Sequence, residues 1–261
     1  MLLMRVLTAF IAGPLFVWVL YLGGWPWFIL VGVLALLGAG EYVRMMRGKP
    51  SEALGPFCYL GVAALILAFR AKEPAIAGLV IAALAVGLPL AGVIFRPGTY
   101  NVLNAMGTTF GIVYVGWLLG HLIPLRSYGW EYLALTYGGI WATDIFAYFT
   151  GRAFGRHKLA PAVSPGKSWE GAIGGALASV ITVYLLGNLA AVPAVHRIIL
   201  GAAISVAGQI GDLAESSLKR YAGVKDSGRL IPGHGGVLDR FDSTMFAAPV
   251  VYYYLVFFLR G

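Results

Sequence analysis

Charge is scarce in this chain. Only 11% of its 261 residues are Asp, Glu, Lys or Arg, against about 25% in an ordinary soluble domain. With a mean hydropathy of +0.82, a soluble globular protein is excluded and an integral membrane protein is implied. Cysteine is nearly absent. A lone Cys58 allows no internal disulfide and argues against a Cys-based zinc centre. The four histidines show neither an HExxH motif nor paired spacing. A metal site would therefore be built from oxygen ligands and suit a hard cation such as Mg²⁺. Period-2 alternation is missing too, which disfavours an outer-membrane barrel. No internal repeat marks a transporter of the inverted-repeat kind.

What is present is a series of long apolar runs. A spanning helix needs about 20 apolar residues. Residues 6–40 are free of charge but broken at Gly23-Gly24-Trp25-Pro26, which makes two spans. Further runs lie at 53–69, 74–95, 97–125, 131–151, 171–190, 197–217 and 243–259, the third span being short. The expectation is a single all-α polytopic membrane domain over 1–261 with about nine transmembrane helices. Residues 1–130 would supply N-terminal helices, and 131–261 the helices and loops of the active site. The apolar run beyond Arg5 is too long for a signal peptide core and is read as a retained helix.

Nine spans place the termini on opposite sides. With the N-terminus in the cytoplasm, fourteen of the nineteen Lys and Arg fall inside and five outside, as the positive-inside rule requires. Trp25, Trp27 and Trp130 then sit at the outer interface. The net charge of +8 is accounted for by these loops and by contact with anionic lipid. The aromatic-plus-basic segments of a soluble nucleic-acid reader are absent, so no nucleic-acid partner is expected.

The acids follow a different logic. Nine of the eleven fall at the cytoplasmic side in this topology, although carboxylates contribute little to orientation. Asp144 lies about two turns inside the sixth span, where an ionisable group is costly and marks a cavity or a partner. Asp212 and Glu215, then Asp239 and Asp242, are pairs spaced by three, so each pair shares a helix face. Helix capping accounts for one of the second pair. Acids in pairs at a membrane surface suit Mg²⁺ on a polyphosphate. Residues 216–243 concentrate eight charged side chains and a histidine. There Lys219, Arg220, Lys225, Arg229 and Arg240 can neutralise phosphate. Gly233, His234, Gly235 and Gly236 form a turn able to present backbone N–H groups to an anion.

A second polar loop covers residues 151–172. Its Gly-Lys-Ser is not a Walker A ending, because Pro161 occupies the position where that motif needs Gly. Ser164-Pro165-Gly166-Lys167-Ser168 precedes a helix start, itself an anion site. His157 reads as a solvated or lipid-head contact rather than a metal ligand.

These segments resemble a known family. Ser216-x-Leu218-Lys219-Arg220, Lys225-Asp226-x-Gly228, and Ile231-Pro232-x-His234-Gly235-Gly236-Val237-x-Asp239-Arg240-Phe241-Asp242 match the signature of the phosphatidate cytidylyltransferases, or CDP-diacylglycerol synthases. Thr143-Asp144, Ala147-Tyr148, Gly151-Arg152, Lys158-Leu159 and Ser164 to Gly171 resemble the family's other polar segments, with Ser168 where Thr is more usual. The specific resemblance covers about residues 140–243. The N-terminal half is similar in hydropathy and in Glu41 at a helix end.

The resemblance implies transfer of a cytidylyl group from CTP to phosphatidic acid, giving CDP-diacylglycerol and pyrophosphate. It implies Mg²⁺, with a second cation left open, a homodimer, and an active site facing the cytoplasm from the inner membrane. By the same resemblance Asp212, Glu215, Asp239 and Asp242 would hold metal, with Asp144 and Asp226 in the same catalytic set. Lys167, Lys219, Arg220, Lys225, Arg240 and His234 would serve phosphates, with Ser164, Ser168, Gly233, Gly235 and Gly236 binding substrate. A CTP-dependent polyprenol kinase and a membrane transporter are the alternatives. A phosphatidyl transferase would need a D-G-x-x-A-R run, which the chain lacks.

Overall fold

The structure is a computed structural model that describes residues 2–71, 74–95, 102–228, 230 and 235–259. Among these residues there are nine helices. They are α1 (Leu2–Leu22), α2 (Gly24–Met46), α3 (Gly55–Arg70), α4 (Pro74–Phe95), α5 (Val102–Tyr128), α6 (Trp130–Phe154), α7 (Trp169–Leu186), α8 (Ala194–Ala222) and α9 (Leu238–Leu259). Each covers one of the apolar runs. The break between α1 and α2 falls at Gly23 and Gly24, both with positive φ. α5 loosens into a π turn at Ile112–Trp117 and α9 into another at Leu255–Leu259.

Five of the helices, α2, α5, α7, α8 and α9, are long and apolar enough to cross a membrane, and shorter apolar stretches occur in α1, α3 and α4. The chain is thus an integral membrane protein by length and composition. α6, which carries Asp144, belongs to neither group. The intrahelical backbone bonding of such segments is what lipid demands, since no water is there to satisfy free N–H and C=O groups.

One departure from an all-α fold is a small hairpin in the second polar loop. Strands β1 (Lys158–Ala160) and β2 (Ser164–Ser168) pair antiparallel, with Lys158 opposite Ser168 and Ala160 opposite Ser164. The unequal strand lengths force a bulge between these pairs.

The chain forms two compact units. One comprises Met1–Pro124 with Ala222–Arg240, the other Leu125–Tyr221 with Phe241–Gly261. In the first, Trp27 donates its indole N–H to the Leu122 carbonyl (2.9 Å), and Tyr42 its hydroxyl to the Gly107 carbonyl (2.7 Å). In the second, α6 and α7 pack along a glycine-lined seam. A Cβ at Gly175 would stand 2.7 Å from the Thr143 carbonyl oxygen, and one at Gly171 2.7 Å from that of Ala147. Close approach through small residues is how membrane helices gain contact when lipid is as apolar as their own side chains. α8 joins through Gly201, where a Cβ would lie 2.6 Å from the Val180 Cα. Ser179 donates to the Gly201 carbonyl (2.8 Å) at the same crossing.

Candidate active site

In the second unit a cavity of about 490 Å³ is lined by α6, the hairpin, the start of α7, and α8. α6 supplies Asp144, Tyr148 and Arg152, spaced by four and therefore on one face. Arg152 donates to the Tyr148 hydroxyl (2.9 Å), which steers the guanidinium along that face. β2 supplies Ser164, Lys167 and Ser168, and α8 supplies Gln209 and Asp212, three apart. The size is that of a small-molecule site.

Local chemistry explains why these side chains meet. Glu170, in the first turn of α7, accepts from the backbone N–H of Arg156 (3.1 Å) and of His157 (3.2 Å). It also meets His157 Nδ1 at 2.6 Å. The chain entering β1 is thus tied to the helix leaving β2. Trp169 N–H donates to the His157 carbonyl (2.9 Å) and closes the base of the hairpin. Ser168 caps α7 by accepting from Gly171 N–H (3.2 Å). Arg220 of α8 donates to the Val163 carbonyl in the hairpin turn (3.4 Å). So held, β2 presents Lys167 to Asp212, with Nζ 2.6 Å from Oδ2. Ser216 donates to the other oxygen at 3.3 Å. One turn further along α8, Glu215 is buried and pairs with Lys219 at 2.6 Å. Asp242, on α9, feels the negative charge of Asp212 and Asp144 and the positive charge of Lys219.

The Gly-rich segment belongs to the first unit. Just after the Gly-rich turn, backbone donors are taken up by the protein's own carboxylates. Glu41, fully buried on α2, accepts from Val237 N–H with Oε1 (2.9 Å) and from Leu238 N–H with Oε2 (2.9 Å). These are the first backbone donors of α9, the ones a helix leaves without an internal partner. Asp239 Oδ2 gathers three more donors: Ser227 N–H (2.9 Å), Ser227 Oγ (2.9 Å) and Gly236 N–H (2.8 Å). Gly235 has φ of 86° and would otherwise push a Cβ to 2.7 Å from Asp239 Oδ2. Lys225, Asp226 and Arg240 are exposed. Gly233, His234 and Arg229 lie outside the described residues.

Of the residues singled out from the sequence, Asp144, Ser164, Lys167, Ser168 and Asp212 share the cavity wall. Tyr148, Arg152, Gln209 and Thr143 also line it, without having been placed in the site beforehand. The first two stood in plain view at fours from Asp144. Gln209 is one turn before Asp212. Glu41 stood out only at a helix end, because its partners lie nearly two hundred residues away; Ser227, twelve residues from Asp239, carried no signal of its own. His157 pairs with Glu170 while its side chain stays largely exposed.

The donor set is all oxygen, which fits a hard cation. Among the described residues, no three of His, Cys, Asp and Glu are gathered closely enough to hold an ion by themselves. The residues present suit Mg²⁺ as it is held in nucleotide sites, by one or two carboxylates, with substrate phosphates and water completing its shell.

Residues 3–258 match the profile of the cytidylyltransferase family. The chain is similar to the phosphatidate cytidylyltransferase of Bacillus subtilis, with 33% identity covering 97% of each chain. It is similar to that of Brucella abortus, with 36% identity over 95% of this chain and 91% of the relative. The enzyme of the same name from Staphylococcus haemolyticus is 35% identical, over 95% of this chain and 96% of its own. With an apolar helical body, a cavity lined by Asp144, Lys167 and Asp212, and likeness to these proteins over nearly its whole length, the chain belongs to the cytidylyltransferase family.

Proposed function

We propose that the protein transfers the cytidylyl group of CTP to phosphatidic acid, releasing pyrophosphate and leaving CDP-diacylglycerol in the membrane. The observation that carries this reading is the cavity wall of Asp144, Lys167, Arg152 and Asp212, in a chain that resembles phosphatidate cytidylyltransferases over nearly its whole length. An oxygen of the lipid phosphate attacks the α-phosphorus of CTP, and the bond to the β-phosphate oxygen breaks. The lipid phosphate is anionic near neutral pH and needs no strong base. The protein's task is orientation and charge neutralisation.

Lys167 and Arg152 supply positive charge to incoming phosphates. Asp212 and Asp242 are the carboxylates that would hold Mg²⁺, with Asp144 lining the same site; the ion when bound would neutralise the triphosphate and its leaving group. Glu215 holds Lys219 in place, and Asp239 orders the loop before α9. Both are also in the metal set that the resemblance implies. Lys219, Arg220, Lys225 and Arg240 remain assigned to phosphates, with Ser164 and Ser168 beside Lys167.

We place all nine helices across the inner membrane, with the N-terminus and the cavity facing the cytoplasm. The distribution of Lys and Arg supports this orientation. The stacking of the Arg70 guanidinium on Trp25 at 4.8 Å fits α2 and α3 running antiparallel, with both residues on one side. The resemblance implies a homodimer.

Purified protein in detergent, given phosphatidic acid, Mg²⁺ and CTP labelled on the α-phosphate, tests the reaction. Label in a chloroform-soluble product, abolished by EDTA, is expected. Release of labelled CDP with an unlabelled phospholipid product would replace this reading with a lipid kinase. No CTP consumption would reject both.

A further inference from the structure

Two carboxylates and one hydroxyl organise the segment that leads into α9. Glu41 is fully buried and reaches the segment from α2 across 186 to 197 residues of chain. Ser227 Oγ lies 3.0 Å from Glu41 Oε2 and 2.9 Å from Asp239 Oδ2. A hydroxyl has one proton, so it donates to one acid while the other is served by backbone N–H groups. The glycines around this cluster make room for the Glu41 carboxylate. A Cβ at Gly228 would come to 2.9 Å from Glu41 Cδ, and one at Gly236 to 2.6 Å, with the Ser227 hydroxyl also in the way.

From this arrangement we infer that Glu41 is a positioning residue for cytidylyl transfer: it sets where α9 begins, and so where Asp239, Arg240 and Asp242 point. The inference rests on the proposed reaction and adds a residue to it that touches no substrate. The geometry leaves little tolerance. Each residue of slippage at a helix start turns every later side chain by about 100°. A misplacement of about 1 Å caused far from the reacting atoms costs on the order of 100-fold in rate. Glu41→Gln keeps the size but replaces one acceptor oxygen with a donor. That donor would face Val237 N–H on one side, or Leu238 N–H and Ser227 on the other.

The experiment compares the parent with Glu41→Gln, Ser227→Ala and the double variant, measuring kcat, KM for CTP and hydrogen–deuterium exchange in the same detergent. Glu41→Gln is expected to lose kcat by about 100-fold. The amides of residues 235–240 should exchange faster, while those of α6 and α7 keep the parent's rates. The double variant should be no slower than the worse single, because both act through one segment. Gly236→Ala strains the cluster with Glu41 intact and should show the same pattern, which keeps the test decisive if Glu41→Gln does not fold. A folded Glu41→Gln enzyme with parental kcat would overturn the inference, as would effects of Glu41→Gln and Ser227→Ala that multiply. An inactive parent would instead reject the proposed reaction.

Discussion

Lys167 and Asp212 form a 2.6 Å ion pair on the wall of the cavity, each about one-quarter to one-third exposed. Such a pair contributes little to stability at this exposure, so its importance lies in what it presents to phosphate. In the proposed reaction an arriving triphosphate would offer Lys167 an anion in exchange for Asp212, and would free Asp212 for a cation. Asp212→Asn is expected to lower kcat/KM by roughly 100-fold, the scale of removing one electrostatic contact to developing charge. It should also raise the Mg²⁺ concentration needed for half-maximal rate. Lys167→Met should lower the rate similarly without changing the Mg²⁺ requirement. A Mg²⁺ titration of both variants checks this, and an unchanged requirement in Asp212→Asn would remove Asp212 from the metal.

Glu170 is predicted to act as the clasp of the hairpin. It accepts from two backbone N–H groups and meets the His157 ring. Glu170→Ala should leave the helices folded but open the base of the hairpin, freeing the backbone of the already exposed Lys158 from its pairing with Ser168 for cleavage by trypsin. Because Lys167 is carried on β2, activity should fall with it. Trypsin cleavage at Lys158, followed by mass spectrometry, reads the first effect, and the lipid-labelling assay the second. Protection equal to the parent's would show that the strands hold without the clasp.

Gly201→Ala should destabilise the second unit by about 1–3 kcal/mol, the usual penalty of overpacking. The new methyl would meet the Val180 backbone, which cannot rotate away as a side chain can. Loss of the thermal transition at lower temperature in detergent is the measurement. Gly78, where a Cβ meets nothing within 4 Å, provides the comparison and should tolerate Ala.

Hydropathy made the helices legible because each run had to be apolar to be useful in lipid. The run at 74–95 coincides with α4, Pro74–Phe95. The hairpin was not legible. β1 has three residues, too few to show alternation, and β2 contains Pro165 and Gly166, both poor strand formers. Asp144, Lys167 and Asp212 stood out as charge within or beside apolar helices, where charge needs a reason. Arg152 and Tyr148 were quoted for their likeness to other chains, but nothing in the spacing said that they would share a cavity with Lys167. That Glu41 would take the backbone N–H groups of Val237 and Leu238 was not readable, because a contact spanning some two hundred residues leaves no periodic trace.

That span has a consequence for how the protein is made. The donors that satisfy Glu41 lie at Ser227, Val237 and Leu238, close to the C-terminal end of the chain. During synthesis α2 emerges long before them, carrying a carboxylate whose final partners do not yet exist. The first unit therefore closes only after residues 222–240 have been made, a long-range step of the slow kind. A polypeptide released early, even with α1 to α8 complete, lacks the contact that seats its own second helix.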